Sequence, residues 1–381
     1  MDINLTMLPE RAVMPGVDGA VGPKEVCHVI EREATRKLRR VLEAVETGEA
    51  VAQTPMDLVG EDWTCPKCGY ENWASHSFRM FCGRCFDLKA ELPVRSSYLL
   101  TGAKGVGKSV VMAQVVQWAR ERGWVSLVIP TGWIFANNGG MIMPSTIFED
   151  MFESPYQARP VLEMVKKAHS PDLLAQVPVR DEDISERWNG AQNVKELLDV
   201  SLEEKRFFET STALQDIVDS MSTCKEVPCL VAFDEVESLY ADKVDHYWHL
   251  KKLRPDQFVM LDRMRTGLSS PPNDDDPPEE TEDDEDEIPD HLVMERGVLL
   301  YATTTSRPNM LGKRHLRQLI RHIPHEIPVA PYTDDEFLAA ITYFRENLVY
   351  DKDLLTGQTV KGIMMMTQRN PKKLFQRMVI Y

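Results

Sequence analysis

The segment Y-L-L-T-G-A-K-G-V-G-K-S occupies residues 98–109. Its last eight residues match the pattern G-x-x-x-x-G-K-[ST], and the apolar run before them is the strand that this pattern requires. Glycines let backbone N–H groups point together at phosphate oxygens, and the positive end of the following helix strengthens that attraction. Lys108 would reach the β- and γ-phosphates, and the Ser109 hydroxyl would ligate Mg²⁺. A chance glycine turn is the alternative, but strand, lysine, serine and helix together favour a phosphate-binding loop.

A second apolar run, C-L-V-A-F-D-E at residues 229–235, ends in two acids and resembles a Walker B segment. Asp234 would hold Mg²⁺ through water, and Glu235 is the candidate catalytic residue because its carboxylate could polarise an attacking water. Taken alone this pattern is weak, since many buried strands end in an acid at the surface. After a complete phosphate-binding loop it indicates the metal side of the same site.

The base of the nucleotide is left open between adenine and guanine. The tetrapeptide D-K-V-D at residues 242–245 has the shape of a guanine-specific signature, but no buried strand precedes it. GTP or GDP and ATP therefore both remain candidate ligands. The residues expected to contact the nucleotide are Gly102, Lys104, Gly105, Val106, Gly107, Lys108, Ser109, Val110, Asp234 and Thr304.

Two later segments favour an AAA+-like module of the additional-strand class. A buried strand at residues 297–301 ends in the polar residues 303–306, where this class carries a sensor beside the γ-phosphate. Residues 331–336 then open a helical lid with a capping box between Thr333 and Glu336. The lid would end on a helix capped by Asn370, where Lys372 or Lys373 takes the place of the arginine usual in such proteins.

Four cysteines in two C-x-x-C pairs predict a structural zinc site. Cys65, Cys68, Cys82 and Cys85 would supply four thiolates, which completes a tetrahedral shell and leaves no open position. The surrounding W-x-C-x₂-C-x₃-N pattern resembles the zinc finger of the Ran-binding-protein type, although thirteen residues separate the two pairs here. That resemblance implies contact with single-stranded RNA or protein. The aromatic and basic residues of the finger could equally serve only to pack it.

Charge and cysteine usage limit the classes of protein to consider. The net charge is −16, but residues 274–290 contain no Lys or Arg and account for most of the acidic excess, so the rest of the chain is close to neutral. That segment is expected to be a disordered, solvated loop. Paired metal-type cysteines suit a reducing compartment rather than a disulfide framework. No apolar run is long enough to span a bilayer, and no secretory or transit segment is readable.

The expected architecture is α/β: a P-loop NTPase of the AAA+-like class with a parallel sheet, a C-terminal helical lid and a small N-terminal Cys₄ zinc module. A helix with a basic flank is predicted from residue 24 to residue 46; that flank is either a solvated face or a phosphate-backbone contact. Helical patterns also occur at residues 160–169, 194–209, 212–221 and 242–270. The expected units are an arm and basic helix (1–60), the zinc finger (61–91), the nucleotide-binding core (92–330) with a helical insertion (131–225) and the acidic loop (271–290), and the lid (331–381).

Several segments together resemble one family, the mitochondrial small-subunit ribosomal GTP-binding proteins of the death-associated-protein-three type. They are residues 98–109, V-I-P-T-G-W at 128–133, E-R-W-N-G at 186–190, L-V-A-F-D at 230–234 and Y-T-D-D-E-F-L-A-A-I-T-Y-F-R-E-N at 332–347. The resemblance implies the mitochondrial matrix and a structural role in the small subunit head. It also implies contacts with rRNA, with neighbouring small-subunit proteins and with the large subunit. The zinc finger and the acidic loop depart from the family pattern.

In such a protein the nucleotide and Mg²⁺ mainly stabilise the fold, and hydrolysis is slow or absent. The alternative is a freestanding ATPase of the AAA+ or STAND type that acts on nucleic acid or protein. Asp234 and Glu235 are both present, so the sequence retains the residues for slow hydrolysis.

Overall fold

A five-stranded parallel sheet organises the residues that the structure describes. The computed structural model describes residues 2–4, 26–28, 30–47, 63–64, 71–72, 97–137, 141–240, 247–248, 251–264, 294–304, 326–347 and 357–379. In this part of the chain the strands are β1 (Asp2–Asn4), β2 (Val26–His28), β3 (Trp63–Thr64), β4 (Glu71–Asn72), β5 (Ser97–Thr101), β6 (Val125–Ile129), β7 (Met143–Pro144), β8 (Phe152–Glu153), β9 (Cys229–Asp234), β10 (Tyr247–Trp248), β11 (Lys251–Lys252), β12 (Gly297–Ala302) and β13 (Glu326–Pro328).

Helices cover both faces of this sheet and continue beyond its last strand. They are α1 (Glu33–Glu46), α2 (Lys108–Glu121), α3 (Gly132–Asn137), α4 (Pro155–Ala168), α5 (Pro171–Leu174), α6 (Glu182–Arg187), α7 (Val194–Ser201), α8 (Thr210–Ser222), α9 (Val259–Met264), α10 (Asp334–Asn347), α11 (Gly357–Thr367) and α12 (Pro371–Val379). Short 3-10 helices lie at Glu204–Glu209, Val236–Tyr240 and Pro255–Gln257. No helix in the described ranges is both long and apolar enough to cross a membrane.

The strand order in the sheet is β13-β5-β12-β9-β6, and every neighbouring pair is parallel. β12 therefore lies between β5, which leads into the glycine-rich segment, and β9, which ends at Asp234. This is the order that the additional-strand interpretation of the sequence requires. The central strands are almost uniformly buried, which explains why their sequences are continuous apolar runs rather than alternating ones.

Two hydrophobic layers hold the sheet, one on each face. Buried residues of α1 and α2 pack with Tyr98 and Leu100 of β5 on one face. Buried residues of α4, α7 and α8 pack with Leu99 and with Phe233 of β9 on the other. Successive strand residues point to opposite faces, so neighbours in β5 belong to different layers. The helical insertion is therefore the cover of one sheet face.

Three local predictions need correction. The first helix begins at Glu33 rather than at residue 24, because Val26–His28 is a strand paired with Asp2–Asn4. The insertion is not purely helical, since Met143–Pro144 pairs with Phe152–Glu153. Residues 242–270 include the paired strands β10 and β11, which precede the short helix α9. In each case a long-range or hairpin pairing overrides the local helical pattern.

The C-terminal helices, α10 to α12, form a separate small core around Phe337, Ile341 and Leu374. The predicted capping box is confirmed: the Thr333 N–H donates to the Glu336 carboxylate over 2.8 Å, and the Glu336 N–H donates to the Thr333 hydroxyl over 3.2 Å. Ile30, which precedes α1, packs against the same core. The segment just before α1 thus contacts the core of the C-terminal helices.

Candidate functional site

The carboxyl ends of three neighbouring strands form the candidate site. β5 runs into residues 102–109, which we call the glycine loop; β9 ends at Asp234; and β12 leads to Thr304. Ala302 pairs with both Leu100 and Asp234, so the three strand ends lie at the same level of the sheet. Ligands of open α/β sheets bind at this edge. The structure brings together the three segments that the sequence assigned to one site.

The glycine loop has a backbone that only glycine adopts readily. Gly102, Gly105 and Gly107 have φ values of 135°, 81° and 99°. A Cβ atom on Gly102 would lie 2.3 Å from the carbonyl oxygen of Val329, which is main chain and cannot move aside. α2 begins at Lys108, within the last two residues of the loop, so the free N–H groups and the positive dipole end of the helix belong to the same loop. This geometry is that of an anion-binding nest.

Lys108 lies inside the loop and is nearly buried. Its ammonium donates to the carbonyl oxygens of Gly102 and Ala103 over 2.7 and 3.1 Å. Burial lowers the pKa of Lys108, while the nearby carboxyls of Glu237 and Asp234 act in the opposite direction. An anionic ligand in the loop could replace the carbonyl oxygens as the partner of this ammonium.

Ser109 and Asp234, the two residues predicted to hold Mg²⁺, lie side by side at the strand ends. The Ser109 hydroxyl donates to Asp234 Oδ2 over 2.5 Å, and burial raises the pKa of Asp234 to about 6. Both groups offer the oxygen donors that Mg²⁺ prefers. Among the described residues no group of three or more His, Cys, Asp or Glu side chains could hold a metal. One hydroxyl and one carboxylate fit Mg²⁺ nonetheless, because this ion keeps several waters and takes other oxygens from phosphates.

Glu235, the candidate catalytic residue, is turned toward the segment that follows β6. Its backbone is left-handed, with a φ of 60°. Its Oε2 accepts hydrogen bonds from the Thr131 hydroxyl over 2.5 Å and from the Trp133 N–H over 3.3 Å. One oxygen of the Glu235 carboxylate is therefore engaged by two donors.

Glu237 is an acid at the site that the sequence interpretation missed. Its side chain is 5 % exposed, and its Oε2 has no hydrogen-bond partner among the described residues. Burial raises the pKa of Glu237 to about 8, opposed by hydrogen bonds from its own N–H and that of Thr304 and by the charge of Lys108. The spacing D-E-V-E was the available signal, but acidic residues are normally exposed, so the sequence gives no reason to expect the third acid in the site. It is instead buried.

Two threonines, Thr303 and Thr304, lie at the predicted sensor position and make different contacts. The Thr303 hydroxyl donates to the Leu100 carbonyl oxygen over 3.2 Å, so it is used within the sheet. Thr304 is only partly buried, and its N–H bonds to the carboxyl of Glu237. Thr304 therefore lies beside Glu237, two residues beyond the end of β12. Residues 305 and 306 lie outside the described ranges.

The C-terminal helices contact the outside of the glycine loop. Asn370 caps α12 by accepting from the Lys373 N–H over 3.2 Å, as predicted. The Lys372 N–H donates to the Gly105 carbonyl oxygen over 3.1 Å, whereas the Lys373 ammonium lies 3.5 Å from the amide oxygen of Gln368. It is the backbone of Lys372, rather than a lysine ammonium, that contacts the loop.

The remaining predicted site residues are placed as follows. Lys104 is exposed, Val106 is fully buried beneath the loop, and Val110 is half-buried in the first turn of α2. The predicted zinc ligands and the acidic loop lie outside the described residues: Cys65, Cys68, Cys82, Cys85 and residues 271–290.

The sequence of this chain is similar to those of known mitochondrial and ribosomal proteins. The family model described as mitochondrial ribosomal death-associated protein 3 matches residues 91–272, which include the glycine loop and Asp234. The small ribosomal subunit protein mS29 of Bos taurus is 23 % identical over 291 residues, covering 74 % of this chain and 69 % of the relative. Its Mus musculus counterpart is 22 % identical over 284 residues, covering 73 % and 68 %. Residues 91–272 therefore resemble mitochondrial ribosomal death-associated protein 3, and the similarity to the mS29 proteins extends over about three quarters of the chain.

Proposed function

We propose that this protein is a structural constituent of the small subunit of the mitochondrial ribosome, and that its glycine loop binds a purine nucleotide with Mg²⁺ as a stabilising ligand. The relatives named small ribosomal subunit protein support the first part, since the matches extend over more than two thirds of both chains. Similarity to mitochondrial ribosomal proteins supports residence in the mitochondrial matrix. Its partners there would be rRNA and neighbouring ribosomal proteins, and we extend the proposal to a contact with the large subunit.

One observation carries the nucleotide part of the proposal. The glycine loop, the Lys108 ammonium and the Ser109–Asp234 pair converge at the same edge of the sheet. The loop N–H groups and Lys108 would bind phosphate oxygens, and Ser109 and Asp234 would hold Mg²⁺. With β12 between β5 and β9, and with helices after β13, we assign the fold to the AAA+-like class.

The acids of the site support binding more than turnover. Glu235 accepts two hydrogen bonds on Oε2 from Thr131 and Trp133, which hold its side chain toward the segment after β6 rather than toward the glycine loop. A ligand that binds only the folded state stabilises it by RT ln(1 + [L]/Kd), about 2.7 kcal/mol at a hundredfold excess over Kd. The nucleotide would therefore contribute to the stability of the folded chain without being consumed.

The zinc site remains a proposal from the sequence. Cys65, Cys68, Cys82 and Cys85 would hold one Zn²⁺ as a structural ion that stabilises the N-terminal module. Metal analysis of the purified protein should give one zinc per chain. Cys65→Ser should lower that content, whereas Cys224→Ser, at a buried thiol beside β9, should not.

Fractionation of mitochondria tests the function directly. We expect the protein to sediment with the small subunit after a high-salt wash and to carry a purine di- or triphosphate. A ring-shaped protein free of ribosomes, with rapid ATP hydrolysis stimulated by nucleic acid or protein, would instead establish the freestanding ATPase, which the presence of Glu235 beside Asp234 allows.

A further inference from the structure

Three successive carbonyl oxygens of the glycine loop are bound from outside the sheet. The Lys104 oxygen accepts from the Asn370 side-chain amide over 2.8 Å, and the Gly105 oxygen accepts from the Lys372 N–H over 3.1 Å. The Val106 oxygen accepts from Arg32 Nη1 over 3.0 Å. Two of these donors belong to the C-terminal helices, and the third precedes α1. The convex side of the loop is thus bound by the C-terminal region and by the residue that directly precedes α1.

Arg32 is the group that connects these two ends. Besides Val106, its guanidinium donates to the carbonyl oxygen of Ala330, just after β13. Its Nε lies 3.3 Å from Glu336 Oε1 at the start of α10, and its guanidinium carbon lies 4.7 Å from the ring centre of Tyr332. The residue is 6 % exposed. The buried Arg32 side chain therefore contacts the glycine loop, the segment just after β13 and the start of α10.

The orientation of the loop carbonyls determines what its N–H groups can do. In a peptide unit the N–H and C=O point in nearly opposite directions, so an outward carbonyl turns the next N–H inward. Donors that bind the carbonyls of residues 104–106 on the convex side therefore favour the N–H orientation that a phosphate needs on the concave side. Preorganisation of this kind improves affinity because less ordering is required on binding.

We propose that Arg32 is a positioning residue of the nucleotide site, which couples phosphate binding in the glycine loop to the docking of α1 and of the C-terminal helices. The inference rests on the proposed nucleotide binding and deepens it. Coupling between two sites is reciprocal, so phosphate occupancy strengthens both dockings as much as they strengthen phosphate binding. A ribosomal neighbour that displaced α1 would thereby weaken nucleotide binding without touching the nucleotide.

An arginine is required here for a geometric reason. The planar guanidinium presents separate N–H groups to the Val106 oxygen, the Ala330 oxygen and the Glu336 carboxylate while its face lies on Tyr332. A lysine ammonium is a single point on a flexible stem and cannot make this set of contacts together. Arg32→Lys therefore keeps the positive charge but loses the simultaneous contacts with Val106, Ala330 and Glu336.

The test compares full-length wild type with Arg32→Lys and with a control, Arg40→Lys, on the same helix. Arg40 is exposed and, within the described residues, forms an ion pair with Glu43 three residues away, so its replacement should leave the glycine loop unchanged. The probes are Mg-ATP, Mg-GTP and Mg-GDP, with Kd measured by calorimetry. We expect Arg32→Lys to weaken the tightest of these by about tenfold, within the usual range for coupling between sites, and Arg40→Lys to change it by less than about twofold.

Hydrogen exchange separates coupling from a purely structural role. In wild type and Arg40→Lys the nucleotide should slow exchange in α1 and in residues 357–379; in Arg32→Lys that protection should be lost. Equal Kd values and equal protection in Arg32→Lys and wild type would overturn the inference alone. Failure of wild type to bind any of the three probes would overturn the proposed nucleotide function and the inference with it.

A second variant decides the matter if Arg32→Lys does not fold. Glu336→Gln removes the charge partner of Arg32, yet glutamine can still accept from the Thr333 N–H and keep the capping box. We expect a smaller loss of affinity, about threefold, together with weaker nucleotide-dependent protection of residues 357–379. An unchanged Kd with unchanged protection would contradict the role of Arg32.

Discussion

The phosphate side and the acid side of the candidate site are built differently. On the phosphate side, the glycine loop is held from its convex face, and its lysine donates hydrogen bonds to loop carbonyls that a phosphate could replace. On the acid side, Glu235 is bound to Thr131 and Trp133, and Glu237 is a buried acid with a raised pKa. The first arrangement suits binding of an anion, whereas in the second the Oε2 atom of Glu235 is already engaged by two donors. A site with this asymmetry suits a retained ligand.

The largest loss is expected from Gly102→Ala. The new Cβ would lie 2.3 Å from the Val329 oxygen at a φ of 135°, so the loop and the strand exit at β13 must separate. We expect nucleotide binding to disappear and the free energy of unfolding to fall by several kcal/mol, on the order of 3. Denaturant unfolding and calorimetry measure the two effects.

Gly190→Ala is the matched control. Gly190 also has a positive φ, 81°, but a Cβ there meets nothing within 4 Å. It should cost only the backbone strain, about 1 kcal/mol, and leave nucleotide binding intact. Similar losses for both glycines would show that the contact with Val329 is unimportant.

Lys108→Ala tests the phosphate side without disturbing its backbone. Losing one charge-assisted hydrogen bond costs about 1.5–3 kcal/mol, which corresponds to a roughly 10- to 100-fold weaker Kd. Lys167→Ala, at an exposed lysine of α4, is the control and should bind as wild type. The protein should also lose its nucleotide-dependent stabilisation in thermal unfolding. A Kd equal to that of the control would contradict phosphate binding by this loop.

Glu237→Gln tests the acid side through pH. The pKa of Glu237 is raised from 4.5 to about 8 in the folded state, so its contribution to stability is full below pH 4.5 and is lost as pH rises toward 8. From pH 6.5 to 8 the nucleotide-free wild type should lose stability by at most roughly 1.4 kcal/mol per pH unit, the limit for one proton. Urea unfolding of Glu237→Gln should show a flatter profile over that interval. Parallel profiles would mean that Glu237 is already ionised in the folded protein.

Glu235→Gln should have the smallest effect on binding. Because its carboxylate contacts Thr131 and Trp133 rather than the glycine loop, we expect the nucleotide Kd to change by less than about twofold, a few tenths of a kcal/mol. Any slow hydrolysis should fall further. If the wild type hydrolysed the nucleotide rapidly and Glu235→Gln abolished that hydrolysis, the comparison would be reversed. The acid side would then be the functional one.

The sequence predicted those parts of the site that are local in the chain. The glycine loop, the strand before it and the acids after β9 each form a contiguous pattern, and parallel pairing then brings them to one edge. The capping box at Thr333 and the strands of the five-stranded sheet were predicted for the same reason. Arg32 could not be found in this way: its partners lie 74 and 298 residues away, and the amphipathic pattern of α1 concealed that the helix begins only after it. Glu237 escaped because acidic residues are normally exposed, and only its packing shows that it is buried.

The pairing of short strands was also beyond the sequence. Met143–Pro144 and Phe152–Glu153 form a two-stranded pair whose second strand ends in Glu153. That carboxylate is buried and accepts from the N–H groups of Ser211 and Thr212, so it caps α8 from a distant segment. Neither a hairpin of two-residue strands nor a cap supplied from outside the helix leaves a periodic signal.

The most direct test of the account is the nucleotide content of the protein in salt-washed mitochondrial small subunits, measured together with its hydrolysis rate. We predict about one purine nucleotide per copy of this chain, retained through the wash and hydrolysed far more slowly than the median enzyme turnover of about 10 s⁻¹. A copy of the chain that is free of nucleotide in intact subunits, or one that exchanges and hydrolyses it at such a rate, would contradict the claim that the ligand is bound to stabilise the fold.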